Sequence, residues 1–93
     1  MVTSQSQENL ELRIKRLRYR SWHRGIKEMD IILGQFADAH LRELTAVELD
    51  EYESILSHND HQLYGWITGR IETPEEVDSI LFQRIASTKH VQL

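Results

Sequence analysis

The sequence predicts an all-α fold, a compact bundle of five antiparallel helices, and three observations carry that prediction. Apolar residues recur at intervals of three and four along most of the chain, no segment alternates with period two over more than a few residues, and helix-capping signals punctuate the pattern at short spacing. Ninety-three residues fit one domain, and a chain of this length buries roughly 60–70% of the surface its unfolded form exposes. With 40% hydrophobic and 28% charged residues, one proline and four glycines, the composition is that of a chain that folds around its own core. Residues 1–8 read as a flexible polar N-terminal tail, 9–89 as a single helical-bundle domain and 90–93 as a C-terminal tail.

The first helix, about residues 9–22, places Leu10, Ile14 and Leu17 at i, i+4, i+7 on one face and Arg13, Arg16 and Arg20 on another. The second, about 26–41, carries Ile26, Met29, Leu33, Phe36 and His40 along one stripe. Gly34 inside it either loosens the helix or lets a neighbour approach closely. Thr45-Ala46-Val47-Glu48 is a capping box opening the third helix, whose inner face is Leu49, Tyr52, Ile55 and Leu56. Asn59 or Asp60 caps a short fourth helix with Leu63, Tyr64, Trp66 and Ile67, and Gly69 suits the left-handed position that ends it. Thr73-Pro74-Glu75-Glu76 has the form of a second capping box with proline at the first helical position, so a fifth helix is expected from there, with Val77, Ile80, Leu81 and Ile85 facing inward.

Several function classes fall away on composition. The chain has no cysteine, hence no disulfide framework and no thiolate metal site, which fits a reducing compartment. Its longest run of large aliphatic residues is Ile31-Ile32-Leu33, far below the roughly 18 residues of a membrane span. The first eight residues lack the apolar stretch of a secretory signal, and the acids Glu8 and Glu11 argue against a mitochondrial presequence, so a cytoplasmic protein is expected. Among the five histidines the best metal candidates are His58 and His61, with Asn59 and Asp60 close by. They straddle a helix start without a third strong ligand, and no metal is expected. No serine sits in a glycine-flanked turn, and the glycines at 25, 34, 65 and 69 stand apart, so neither a nucleophile elbow nor a phosphate-cradling loop is present.

The net charge of −4 conceals an asymmetry. Residues 1–27 hold seven Lys/Arg against two acids, a balance of +5, and residues 28–93 hold four against thirteen, a balance of −9. The seven cations all fall between Arg13 and Lys27, so one end of the molecule is expected to present a positive face to a partner. Taken alone, a basic helix with Tyr19 and Trp22 as stacking groups also fits a small nucleic-acid-binding regulator, although the acidic remainder and a pI near 5.7 oppose it. Arg24-Gly25-Ile26-Lys27-Glu28 marks the break between the first two helices. Glycine enters the left-handed region freely, Glu28 falls in the first turn of the next helix where a carboxylate is stabilised, and Arg24 is four residues before it, within reach of an ion pair. A plain helix-capping pair is the alternative reading of the same residues.

The stretch Tyr19-Arg20-Ser21-Trp22-His23-Arg24-Gly25-Ile26-Lys27-Glu28-Met29-Asp30 resembles the signature of the succinate dehydrogenase assembly factors that promote covalent flavinylation of the flavoprotein subunit. The Arg-Gly-x-x-Glu hallmark is intact as Arg24, Gly25 and Glu28, followed by Asp30. A second block, Asn59-Asp60-x-x-Leu63-Tyr64-x-Trp66, is similar to the family's short helix start leading into an aromatic and a tryptophan. The resemblance spans roughly residues 9–87. It implies a non-enzymatic, chaperone-like assembly factor that docks on the flavoprotein subunit of succinate dehydrogenase, with fumarate reductase as a further client, and brings the Arg24-Gly25 turn near the FAD of that partner. The flavin becomes bonded to a histidine of the flavoprotein through its 8α-methyl carbon, and the chemistry stays with the flavin and its host. By the same resemblance Arg24, Gly25, Glu28 and Asp30 form the partner-binding and flavinylation site, Arg20, His23, Asp60, Tyr64 and Trp66 support it, and His23 stands where another basic residue is common. No FAD or other cofactor is expected to be held stably by the chain itself. It is expected to be a monomer when free, without nucleic acid or membrane insertion, in a bacterial cytoplasm. Gly25→Arg and Glu28→Ala are expected to keep the helical fold and abolish flavin attachment.

Overall fold

In the computed structural model, which describes residues 2–88, five α-helices and one 3-10 turn follow one another, and no strand occurs among the described residues. The helices are α1 (Val2–Trp22), α2 (Lys27–His40), α3 (Ala46–Leu56), α4 (Asp60–Thr68) and α5 (Ile80–Ala86), with the 3-10 turn Leu41–Glu43 closing α2. Contacts along α1 and α2 pair their residues in opposite order: Trp22 lies over Gly34, Arg18 meets Asp38, and Glu11 meets Arg42. The two are therefore an antiparallel hairpin, as the short connection between them requires. Helix α3 packs on α1 and α5, and α4 fits between α2 and α5.

The helix expected over 9–22 starts earlier, at Val2, and takes in the backbone of residues 2–8 that composition reads as a tail. Nothing in that stretch breaks a helix, since it has neither glycine nor proline. The tail assigned to 90–93 lies outside the described residues. On α1 the buried face is Ile14, Leu17 and Ser21, while Leu10 is 43% exposed and stands off the core. The α2 stripe is as expected at Met29, Leu33 and Phe36, and Ile32 and Ala37 widen it. Gly34 has the second of its two expected roles: a Cβ there would lie 2.2 Å from Cδ2 of Trp22, so the indole rests directly on the helix backbone. The ring is held in place by its Nε1, which donates to the Asp38 carboxylate at 3.3 Å.

The Thr45 capping box forms in both directions, Glu48 N donating to Thr45 Oγ1 at 3.1 Å and Thr45 N to Glu48 Oε1 at 2.9 Å. All four residues expected on the inner face of α3 are buried. Gly69 ends α4 at φ 80°, the left-handed conformation expected of it. Within the core Tyr52 is fully buried, with its hydroxyl 2.6 Å from Ser21 Oγ and 3.3 Å from Leu33 O, while Ser21 Oγ lies 2.7 Å from Leu17 O, so that the two hydroxyl protons are shared among these contacts. Two polar groups are thus satisfied inside an otherwise apolar interior.

The fifth helix is the clearest departure from expectation. Thr73-Pro74-Glu75-Glu76 opens only a single turn, in which Val77 N and Asp78 N both donate to Pro74 O, at 2.9 and 3.0 Å. The chain then becomes extended at Ser79, whose hydroxyl accepts from Phe82 N at 3.1 Å and caps Ile80–Ala86. This second start re-aims the apolar face: Val77, Leu81, Phe82 and Ile85 are buried, whereas Ile80, expected inside, is 78% exposed. Ser79 is as good an N-cap as Thr73, and burial of Phe82 decides between them.

Candidate docking site

The turn between α1 and α2 is held by residues from the end of α3, the start of α4 and the connection between them. Arg24 folds inward from it. Its Nε donates to Asp60 Oδ1 at 2.7 Å, Nη1 to the carbonyl of Leu56 at 2.8 Å and Nη2 to the carbonyl of His58 at 2.7 Å. Leu56 is the last residue of α3, where carbonyls lack helical partners and a cation is favoured; Asp60 is the first of α4, where an anion is favoured. One guanidinium thus satisfies a helix C-terminus and pairs with the acid at the next helix N-terminus. The side chains of Arg24 and Asp60 are only 11% and 12% exposed.

Two backbone amides complete the arrangement. Gly25 N donates to the other oxygen of Asp60, and Arg24 N donates to Oδ1 of Asp30, which stands on α2. Asp60 is free to do this because Asn59, not Asp60, caps α4, its side chain accepting from Gln62 N at 2.8 Å. The sequence leaves the choice between the two open, and the presence of two capping residues where one suffices was the available signal that the other had separate work. The carbonyls of Leu56 and His58 could not have been found from side-chain identity at all.

Two details of the turn differ from expectation. Among the described residues only Gly69 has a positive φ, so Gly25 is not left-handed. What requires glycine there is space, since a Cβ would stand 2.7 Å from Oδ2 of Asp60, the atom that accepts from the Gly25 amide. Arg24 does not pair with Glu28 either. Asp60 outcompetes it because it offers a buried, two-oxygen acceptor beside two free carbonyls. Glu28, in the first turn of α2, is exposed, and its carboxylate makes no hydrogen bond or ion pair among the described residues. Lys27 beside it is likewise exposed and unpaired among them.

The flanking residues divide between surface and core. His23 is exposed and stacks on Tyr19 with ring centroids 3.9 Å apart, and its Nδ1 donates to the Tyr19 carbonyl at 2.7 Å. Arg20 is exposed, 3.8 Å from Glu53. An open cleft lined by Lys15, Arg18, Tyr19, Trp22 and His23 borders the turn on the α1 side. Tyr64 is half-buried against the core, and Trp66, at 9% exposure, belongs to the core, with the His58 ring edge-on to it at 5.1 Å. His61 is exposed, and among the described residues no group of three or more His, Asp or Glu is gathered as a metal site.

The positive face is smaller than the charge count implies. Arg13 pairs with Asp50 at 2.7 Å and Glu53 at 2.8 Å, Arg18 with Asp38 at 3.1 Å, and Arg24 with Asp60. The two carboxylates beside Arg13 push its guanidinium pKa up, with Asp50 the larger influence. Much of the basic stretch on α1 is therefore spent on the acidic half of the same chain.

The family model described as "Flavinator of succinate dehydrogenase" matches residues 15–89, a span that contains the Arg24-Gly25 turn, Glu28 and the Asp60 helix start. The chain belongs to this family. Among curated proteins it is 36% identical over 87 residues to an FAD assembly factor of Acetobacter pasteurianus, covering 94% of this chain and 80% of that one. It is 42% identical over 66 residues to the mitochondrial succinate dehydrogenase assembly factor 2 of Candida glabrata, covering 71% of this chain and 43% of the relative. A Drosophila mojavensis mitochondrial assembly factor is 35% identical over 91 residues, covering 91% and 58%. The chain thus spans most of the bacterial relative and less than two thirds of these two mitochondrial ones. These relatives are named as assembly factors. No helix of the described residues is long and apolar enough to cross a membrane.

Proposed function

We propose that this flavinator-family chain binds the flavoprotein subunit of succinate dehydrogenase and promotes covalent attachment of FAD to a histidine of that subunit, acting as a monomer in the bacterial cytoplasm, with the homologous subunit of fumarate reductase as a second client. The observation that carries the reading is the contrast within one turn: Glu28 stands exposed and unpaired among the described residues, immediately beyond a backbone fixed by Arg24, Asp30 and Asp60. A carboxylate held on a rigid element without an internal partner is suited to meet a group of another protein.

The flavin stays with the partner on this reading. Docking then acts by orientation: it holds the flavoprotein's histidine and flavin ring in a productive geometry, with Glu28 ordering a polar group of the partner or taking up a proton there. The competing reading, a nucleic-acid regulator, asks for a free basic face on α1, and Arg13 and Arg18 are already committed to acids of the same chain.

The test is reconstitution. The purified flavoprotein subunit, incubated with FAD and this chain, gains flavin fluorescence that survives denaturing electrophoresis, and gains far less without it. Equal fluorescence with and without the chain, or salt-sensitive binding of the chain to DNA or RNA in place of the flavoprotein, overturns the proposal.

A further inference from the structure

We infer that Arg24 contributes to flavin attachment only indirectly, through Asp60 and the carbonyls of Leu56 and His58: it is a positioning residue that locks the Gly25 turn to the α3–α4 connection and so fixes where Glu28 stands. The inference rests on the functional reading above for its consequence, but its geometry is independent of that reading.

Each of the three guanidinium nitrogens of Arg24 already donates within the chain, to Asp60 Oδ1, Leu56 O and His58 O at 2.7, 2.8 and 2.7 Å. Both oxygens of Asp60 accept in turn, one from Arg24 and one from the Gly25 amide. The circuit closes through Arg24 N on Asp30, so that α1, α2, α3 and α4 meet at one turn with their charged and backbone groups paired. At 11% and 12% exposure the pair has little surface to offer a partner. The cation that the turn does present outward is Lys27, exposed and without an ion pair among the described residues. Glycine at position 25 belongs to the same device, because a Cβ would stand 2.7 Å from the Asp60 oxygen that the turn's amide uses. A planar fork with separate donors is what the site needs, and a lysine at 24 would supply a point charge without spanning the three acceptors.

A double-mutant cycle on the full chain separates a latch from a partner contact. The readouts are the rate of flavin attachment to the succinate dehydrogenase flavoprotein subunit and the amide hydrogen exchange of Gly25. Arg24→Ala and Asp60→Ala are each expected to slow attachment by about 100-fold, the scale of a misplacement near 1 Å. The double variant is expected to be no more than about threefold worse than the worse single, because both substitutions remove one device. Arg24→Lys is expected to be nearly as slow as Arg24→Ala and to lose protection at Gly25, while Leu33 in the core stays protected, which distinguishes a loosened turn from general unfolding. Single effects that multiply, or an Arg24→Lys variant with the wild-type rate, overturn the latch. If the wild-type chain attaches no flavin, the functional reading fails, and exchange alone then decides: Gly25 protection lost in Arg24→Lys supports the latch and protection retained overturns it.

Discussion

Arg24 and Asp60, 36 residues apart in the chain, form an ion pair at 2.7 Å with both side chains nearly enclosed. Removing one member leaves the other without compensation in a site closed to most water, and such losses run to about 3 kcal/mol. Asp60→Ala is therefore expected to lower the unfolding free energy by that amount, read as a lower urea midpoint at an unchanged denaturant slope, and Arg24→Ala to match it. A change below about 0.5 kcal/mol would place the pair among weak surface bridges.

Gly25→Ala introduces a Cβ 2.7 Å from Asp60 Oδ2. Either the carboxylate or the turn has to move, and the hydrogen bond from the Gly25 amide is lost with it. The expected cost is about 1–2 kcal/mol, and for a domain of this size each kcal/mol lowers the melting temperature by roughly 4–8 °C. Gly25→Arg is expected to be worse still, so its loss of function would carry a measurable loss of stability, contrary to what the sequence alone leads one to expect. Calorimetry on the two variants checks the order.

Tyr52 supplies a prediction at high pH. Burial pushes its hydroxyl well above the ordinary tyrosine range, against the opposing influence of the Ser21 hydrogen bond. In the unfolded chain the phenol ionises near pH 10. Below that pH both states keep the proton and the stabilisation is whole; above it the unfolded state loses its proton first, so stability falls as pH rises, by up to about 1.4 kcal/mol per pH unit. Unfolding midpoints between pH 9 and 11 are expected to drop less steeply for Tyr52→Phe. Parallel curves for the two proteins would contradict the assignment.

Legibility from sequence followed the range of the interaction. The Thr45–Glu48 box, a cap at Asn59 or Asp60, the left-handed Gly69 and the α3 stripe are local patterns, and the structure reproduces them, with Asn59 as the cap. The start of α5 was placed too early, at Thr73, because the cap that the structure uses, Ser79, lies six residues further on and its choice rests on packing of Phe82. The turn was visible as a break, but its cause was not: Gly25 answers to a carboxylate 35 residues away, and Arg24 to carbonyls whose position depends on the whole bundle. The basic stretch misled for the same reason, since the acids that neutralise Arg13 and Arg18 lie 20 to 40 residues downstream.

Glu28 carries the central claim, and its substitution is the most direct test. Glu28→Gln removes charge from an exposed carboxylate with no internal partner among the described residues, so stability is expected to change by less than about 1 kcal/mol, the scale of a helix N-terminal charge. The measurement is the covalent flavin fluorescence of the succinate dehydrogenase flavoprotein subunit after incubation with FAD and either wild-type chain or the folded Glu28→Gln variant. Strong fluorescence is expected with the first and at most a small fraction of it with the second. Equal fluorescence from both would contradict the claim.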